Sequence, residues 1–92
     1  MSIFAYRVFA AVVEQKSFAA AARQLHMTPS AVSHSISTLE GKMGVGLFQR
    51  AREGARLTRE GEEILCQVLD VLNAEERLSQ SLGHFWTATG WR

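Results

Sequence analysis

The segment His26–Ile36, HMTPSAVSHSI, combines a strong helix start with an unusual outward face. Thr28 followed by Pro29 places a capping hydroxyl before a proline that fits the first position of a helix. Val32 and Ile36 then recur at a spacing that puts both on one side of that helix. Most remaining positions carry short hydroxyls, whereas a solvated helix face usually carries long charged side chains. The outward face therefore needs an explanation other than solvation.

Two predicted helices lie before or overlap the start of this segment, and one follows. Apolar periodicity predicts a helix over residues 3–15 and a second over 18–25, which Ser17 caps. The third helix runs from residue 29 to about residue 43, where Gly44 ends it. The predicted buried positions of the first helix are Phe4, Val8, Phe9, Val12 and Val13.

The chain then changes character. Residues 47–58, LFQRAREGARLT, contain two short segments, 47–50 and 55–58, around a polar turn with Gly54, which predicts a small β-hairpin. Thr58 caps a long helix that we predict over residues 59–82, with glutamates in its first turns at the positive end of the helix dipole.

The long helix carries an apolar stripe with alternating four- and three-residue spacing, provided that Glu75 fills one gap. Such a stripe is broader than one small domain covers, which predicts a dimer interface; packing on the chain's own core is the alternative. The predicted interface residues are Ile64, Leu65, Val68, Leu69, Val71, Leu72, Leu78 and Leu82. We assign no role to the tail, residues 83–92.

Charge is divided between two parts of the chain, although the net charge of the 92 residues is only +1. From Lys16 to Arg59 there are seven basic and two acidic residues, and from Glu60 to Leu82 six acidic and one basic. A basic half favours a polyanionic partner such as nucleic acid over a merely solvated surface.

Several classes of protein are disfavoured by what the sequence lacks. Cys66 is the single cysteine, so we expect no disulfide framework and a cytoplasmic location. There is no apolar run long enough for a membrane span and no secretory signal. The histidines lack partners at ligand or catalytic spacing, and no phosphate-binding glycine loop occurs. We therefore predict no enzyme activity, metal, cofactor or membrane partner.

The two helices 18–25 and 29–43, joined by a three-residue turn and followed by a basic hairpin, predict a mainly α winged helix-turn-helix. Such a third helix enters the major groove of DNA, and short hydroxyls let its axis approach the base edges. The outward positions i, i+3, i+4 and i+7 are Ser30, Ser33, His34 and Ser37. His34 is the longest side chain there and the candidate for base reading. The basic hairpin residues are Arg50, Arg52 and Arg56.

The ordered motifs SFxxAAxxL, PSAVSxxIxxLE, GxxLFxR and LTxxG resemble the N-terminal DNA-binding domain of LysR-type bacterial transcriptional regulators. The resemblance covers roughly 80 residues when the long helix is included. It implies a winged helix-turn-helix over residues 1–58 and a linker helix over residues 59–82 through which two copies dimerise. The dimer would place two recognition helices in successive major grooves of an inverted-repeat site.

The resemblance also implies roles for individual residues. Thr28, Pro29 and Ser30 match positions that touch phosphates and base edges, and Ser33 and His34 match positions that read bases. Ser37 lies further along the same face. Arg50 matches the wing arginine of LFxR, usually a backbone contact.

Two features depart from the family pattern. The family's wing commonly carries a basic residue at the position of Glu53; here either Arg52 takes that role or the wing contact is weak. The long ligand-sensing region of the family is absent, so we expect no effector pocket in this chain, which is either a fragment or a stand-alone module.

The leading hypothesis is a sequence-specific regulator, or its isolated DNA-binding domain, that binds double-stranded DNA as a homodimer, with higher oligomers left open. It would be cytoplasmic and associated with the nucleoid when bound to DNA. The alternative is a truncated helical interaction module that heterodimerises with a full-length regulator and modulates it. A third reading, another winged-helix family such as the MarR-like regulators, fits the ordered motifs less well.

Overall fold

The computed structural model of the chain describes residues 2–51 and 54–89. Within these ranges four helices accompany one antiparallel two-stranded hairpin, which confirms the predicted mainly α winged helix-turn-helix. The elements are α1 (Ile3–Gln15), α2 (Phe18–Leu25), α3 (Pro29–Met43), β1 (Phe48–Ala51), β2 (Gly54–Leu57) and α4 (Arg59–Thr89). The bounds of the first three helices agree with the prediction, and the predicted strands are shifted by one residue.

The helices begin where the sequence supplies capping hydroxyls. Each of three side chains accepts a hydrogen bond from the backbone N–H three residues later, at 3.1–3.2 Å. These capping residues are Ser2 for α1, Ser17 for α2 and Thr28 for α3. The ends are also defined, because Lys16, His26 and Gly44 follow the three helices in the left-handed conformation.

The core forms where α1 crosses the other helices. Val8, Phe9 and Val12 are fully buried on α1, as predicted. They meet buried residues of the other helices and of the hairpin, namely Ala21, Ala22, Val32, Ile36, Leu39, Leu47 and Ala55. The prediction that Phe4 is buried is wrong, because its side chain is 49% exposed at the N-terminal end of α1.

The hairpin is fixed to the helices at both strands. The Glu40 carboxylate on α3 accepts hydrogen bonds from the backbone N–H groups of Leu47 at 2.6 Å and Phe48 at 3.2 Å. The N–H of Ala55 donates to the Lys16 carbonyl at 3.1 Å. A side chain at Gly54 would collide with that carbonyl, since a Cβ there would lie 2.3 Å from its oxygen. The hairpin therefore has a set position relative to α3.

The start of α4 packs closely on the hairpin. The Thr58 hydroxyl accepts a hydrogen bond from the Gly61 N–H at 2.9 Å and donates to the Gly46 carbonyl at 2.7 Å. A Cβ at Gly61 would lie 2.4 Å from the Leu47 carbonyl oxygen, so only glycine allows this approach. The helix continues to Thr89, beyond residue 82 where the sequence prediction ended it. No described helix is long and apolar enough to cross a membrane.

The apolar stripe of α4 divides into two parts. One part packs on the chain's own core, which the sequence analysis left as an alternative to dimerisation; it consists of Ile64, Leu65, Val68 and Leu72. The other part is exposed and consists of Leu69, Val71, Leu78 and Leu82. Glu75, which interrupts the stripe, pairs with Arg7 of α1 at 2.6 Å. The assignment of all eight residues to an intermolecular interface was therefore too broad, because α1 already covers part of the stripe.

Candidate nucleic-acid interface

The outer face of α3 is thin and uncharged at its centre. Val32, Ile36 and Leu39 bury the inner side of the helix. On the opposite side three predicted contact residues are exposed together, namely Ser30, His34 and Ser37. Of these, only His34 has a side chain longer than a hydroxymethyl group, so the helix backbone lies close to the molecular surface along this face.

Thr38 belongs to the same exposed surface, and sequence reasoning missed it. It is exposed and follows His34 by one helical turn, and both residues border a groove beside α3. The signal in the sequence was its spacing of one turn from His34. Ser35, which was predicted to lie off the face, borders the groove on the side of α1.

The first turn of α3 is arranged by its own capping bond. The Thr28 hydroxyl accepts the hydrogen bond from the Ala31 N–H at 3.1 Å, and Pro29 occupies the first turn. Thr28, Pro29 and Ser30 are all exposed. The Thr28 hydroxyl hydrogen stays available to an outside acceptor, and the N-terminal end of the helix carries the positive end of its dipole.

Ser33 marks the edge of α3 that faces the hairpin. Its hydroxyl accepts a hydrogen bond from the guanidinium of Arg50 on β1. The same guanidinium stacks over the ring of Phe18, with its central carbon 4.4 Å from the ring centroid. Phe18 is held in turn by Phe48, whose ring centroid is 5.7 Å away in an edge-on arrangement. Three elements therefore position one cation beside the recognition face.

The predicted basic residues of the hairpin do not all come together. Arg50 pairs with Ala55 across the hairpin, whereas Arg56 pairs with Gln49. Because successive strand residues point to opposite faces, Arg56 and Arg50 lie on opposite faces of the hairpin. Arg56 is exposed. Arg52, together with its neighbour Glu53, lies outside the described residues.

Glu40 is a second residue that sequence reasoning missed. Its carboxylate satisfies two backbone N–H groups at the start of β1, as described above. This contact positions the strand that carries Arg50, so Glu40 acts on the interface without belonging to its surface. The sequence offered only a weak signal, an acidic residue near the end of α3 before the glycine-rich residues 44–46.

The fold and this surface define the class of winged helix-turn-helix proteins, with α3 as the recognition helix and the β1–β2 hairpin as the wing. The model of the family described as "Bacterial regulatory helix-turn-helix protein, lysR family" matches residues 3–62. The chain belongs to the LysR family and comprises its helix-turn-helix DNA-binding domain.

Relatives with printed functions are regulators. The "Probable HTH-type transcriptional regulator LrrA" of Synechococcus elongatus is 51% identical over 97 aligned positions, which cover 97% of this chain and 33% of that protein. The "HTH-type transcriptional activator AmpR" of Pseudomonas aeruginosa is 44% identical over 66 positions, covering 72% of this chain and 22% of that protein. The chain thus spans about a third or less of the length of these relatives.

Solved structures of similar fold include domains bound to DNA. The complex of the CbnR DNA-binding domain with DNA has a TM-score of 0.85 and 28% identity, covering 91% of this chain and 97% of that one. The complex of the BenM DNA-binding domain with catB site 1 DNA has a TM-score of 0.87 and 27% identity, covering 92% and 96%.

Proposed function

We propose that the chain binds double-stranded DNA in a sequence-specific manner and regulates transcription, with α3 in the major groove. The observation that carries the proposal is the thin, uncharged outer face of α3 beside a fixed cation, Arg50. A helix can approach base edges only when no long side chain holds it away, and a neighbouring cation then meets the phosphates. The membership in the LysR family supports the same conclusion.

The residues divide into two roles. His34 reads bases, with Ser30, Ser33 and Ser37 as hydroxyl partners for base edges or phosphates. Thr28 and Pro29, at the positive end of the α3 dipole, approach a phosphate. Thr38 extends the reading surface by one turn.

The hairpin contributes backbone contacts. Arg50 binds a phosphate at the edge of the major groove, because the Phe18 ring and the Ser33 hydroxyl hold its guanidinium there. Arg56, on the other face of the hairpin, reaches a more distant part of the backbone or the minor groove, and Arg52 is proposed to do the same.

The exposed part of the α4 stripe forms the homodimer interface in this proposal, through Leu69, Val71, Leu78 and Leu82. Two copies then read an inverted repeat, because a twofold axis relates both the protein halves and the half-sites. The protein acts in the cytoplasm, at the nucleoid.

The test is a selection of binding sites from randomised duplexes, followed by affinity measurements at several salt concentrations. We expect an inverted repeat that is preferred over a scrambled duplex, with a steep loss of affinity as salt rises, because each phosphate contact releases counterions. Equal binding to selected and scrambled duplexes at every salt concentration would contradict the proposal.

A second candidate function is an interaction module that heterodimerises with a longer regulator. The observation that favours it is the apolar surface of α4 beyond the chain's own core, where Leu78 is 59% exposed. Mixing the chain with a full-length relative and measuring heterodimers by sedimentation tests this function. Heterodimers that bind the relative's operator less tightly than its homodimer would support it, and absence of heterodimers would reject it.

A further inference from the structure

We propose that a groove between the N-terminal end of α1 and α3 is a second contact for the DNA backbone, on the side of the recognition helix away from Arg50. In it Lys42 binds a phosphate and Phe4 packs on the adjoining deoxyribose. This inference rests on the proposed function, since it assigns a further part of the same DNA surface.

The groove is a defined feature of the described residues, with a volume of about 610 Å³. One wall comes from α1 and its capping residue, and the other comes from α3. The side chains used in the argument are Ser2, Phe4, His34, Thr38 and Lys42. His34 also belongs to the outer face of α3, so the groove is continuous with the surface that reads bases.

The wall from α3 is a row along one side of the recognition helix. His34, Thr38 and Lys42 are separated by four residues each, which places them above one another over about 12 Å. All three are exposed. A strand that passes His34 at the edge of the major groove can therefore follow this row to the ammonium group of Lys42.

The charge of the groove matches a polyanion. Among the described residues that line it, Lys42 is the only one with a full charge, and none carries a carboxylate. The neighbouring groove between α1, α2 and α4 differs, because Arg7 and Glu14 both line it together with several leucines. The first groove is thus electrostatically suited to a phosphate, and the second is not.

Phe4 gives the groove an apolar floor that a phosphate alone would not use. Its ring is 49% exposed although it belongs to the first turn of α1, next to the capping Ser2. The deoxyribose beside a phosphate offers an apolar surface of suitable size, and covering the ring removes apolar area from water. A phosphate on Lys42 and a sugar on Phe4 together account for both features.

The experiment measures binding of the whole chain to its selected duplex and to a scrambled duplex. Lys42→Ala should weaken binding to both about three- to tenfold and reduce the slope of log affinity against log salt by about 0.9, the value of one phosphate contact. Phe4→Ala should weaken binding to both by a similar factor without changing the slope, and Phe4→Leu should restore most of the affinity. Arg77→Ala, which removes an exposed cation of α4 outside the groove, is the matched control and should leave the slope unchanged.

A second measurement does not depend on the stability of a variant. Single phosphates of the selected duplex are replaced by neutral methylphosphonates, and each modified duplex is tested with the unsubstituted chain and with Lys42→Ala. One position should weaken binding of the unsubstituted chain but not that of the variant, because the variant has already lost that contact.

The outcomes separate the two proposals. If the unsubstituted chain shows no preferred duplex, the proposed function fails. If it binds as expected but Lys42→Ala and Phe4→Ala retain its affinity and slope, the proposed function stands and the groove contact is wrong. A change in oligomeric state without a change in affinity per dimer would overturn it too, because it would show that a second copy occupies the groove.

Discussion

The guanidinium of Arg50 lies 4.4 Å from the centroid of the Phe18 ring and donates a hydrogen bond to Ser33. One contact belongs to the start of α2 and the other to α3, so both halves of the helix-turn-helix hold the same side chain of the wing. A flexible arginine loses side-chain entropy when it binds a phosphate, and part of that loss is already incurred in the free protein. The stack thus prepares Arg50 for binding.

The first prediction concerns the shape of this cation. Arg50→Lys retains the charge but loses the planar group that stacks on Phe18, so we expect weaker binding, by about fivefold, at a nearly unchanged salt slope. Arg50→Ala should weaken binding further and reduce the slope by about 0.9. Both losses should be equal on selected and scrambled duplexes. Full affinity in Arg50→Lys would show that the stack does not position the contact.

The second prediction concerns base reading by His34. Replacing this exposed side chain by alanine should narrow the difference in affinity between the selected duplex and its single-base variants, because a base contact contributes about 1–3 kcal/mol of discrimination. Ser35→Ala, on the neighbouring side of the same helix, is the control and should keep the preference. A repeated site selection with each variant measures the effect. An unchanged preferred site for His34→Ala would remove His34 from the reading surface.

The sequence predicted the helix-turn-helix because its determinants are local. Ser17 and Thr28 each cap a helix within three residues, and Gly44 ends α3 by its own backbone conformation. These signals need no knowledge of distant parts of the chain, and the predicted bounds of α2 and α3 agree with the structure. The surface of α3 followed from the same periodicity.

The sequence was less informative where distant residues meet. Glu75 appeared as a gap in a continuous apolar stripe, but in the structure it bonds to Arg7, 68 positions away in sequence. The same packing of α4 on α1 covers part of the stripe, and no local pattern distinguishes leucines that face the chain's own core from those that face outward. The end of α4 was missed because residues 83–89 lack the apolar periodicity on which the prediction depended.

The third prediction concerns the carboxylate that holds the wing. Glu40→Gln removes the charge from an acceptor of two backbone N–H groups, so we expect a loss of about 1–2 kcal/mol in the free energy of unfolding. Glu63→Gln is the matched control, because Glu63 pairs only with the exposed Arg59 on the same helix and should change stability by less than about 0.5 kcal/mol. Urea unfolding followed by circular dichroism compares the two. Equal stabilities would mean that the carboxylate charge does not anchor β1.

The fourth prediction concerns two glycines within helices. Gly61→Ala would place a methyl group 2.4 Å from the Leu47 carbonyl oxygen, so α4 must shift, and we expect a loss of about 1–3 kcal/mol. Gly41→Ala on α3 meets no atom within 4 Å and should stabilise the chain by about 0.5–1 kcal/mol, because alanine is the better helix former. Thermal unfolding of both variants gives opposite signs if the contact of α4 with β1 is as close as the structure indicates.

The fifth prediction separates dimerisation from folding. Leu78 is 59% exposed on α4, beyond the leucines that pack on the core, so Leu78→Ser removes little packing from a single chain. It should raise the dimer dissociation constant at least tenfold, since loss of one leucine contact costs about 1.5–3 kcal/mol, while unfolding of the isolated monomer is nearly unchanged. Sedimentation equilibrium measures the first quantity and unfolding at low concentration the second. Val68→Ser provides the opposite pattern, because Val68 is 4% exposed within the core and its loss should destabilise the monomer itself. If Leu78→Ser leaves the dimer intact, the exposed part of the α4 stripe is not the interface.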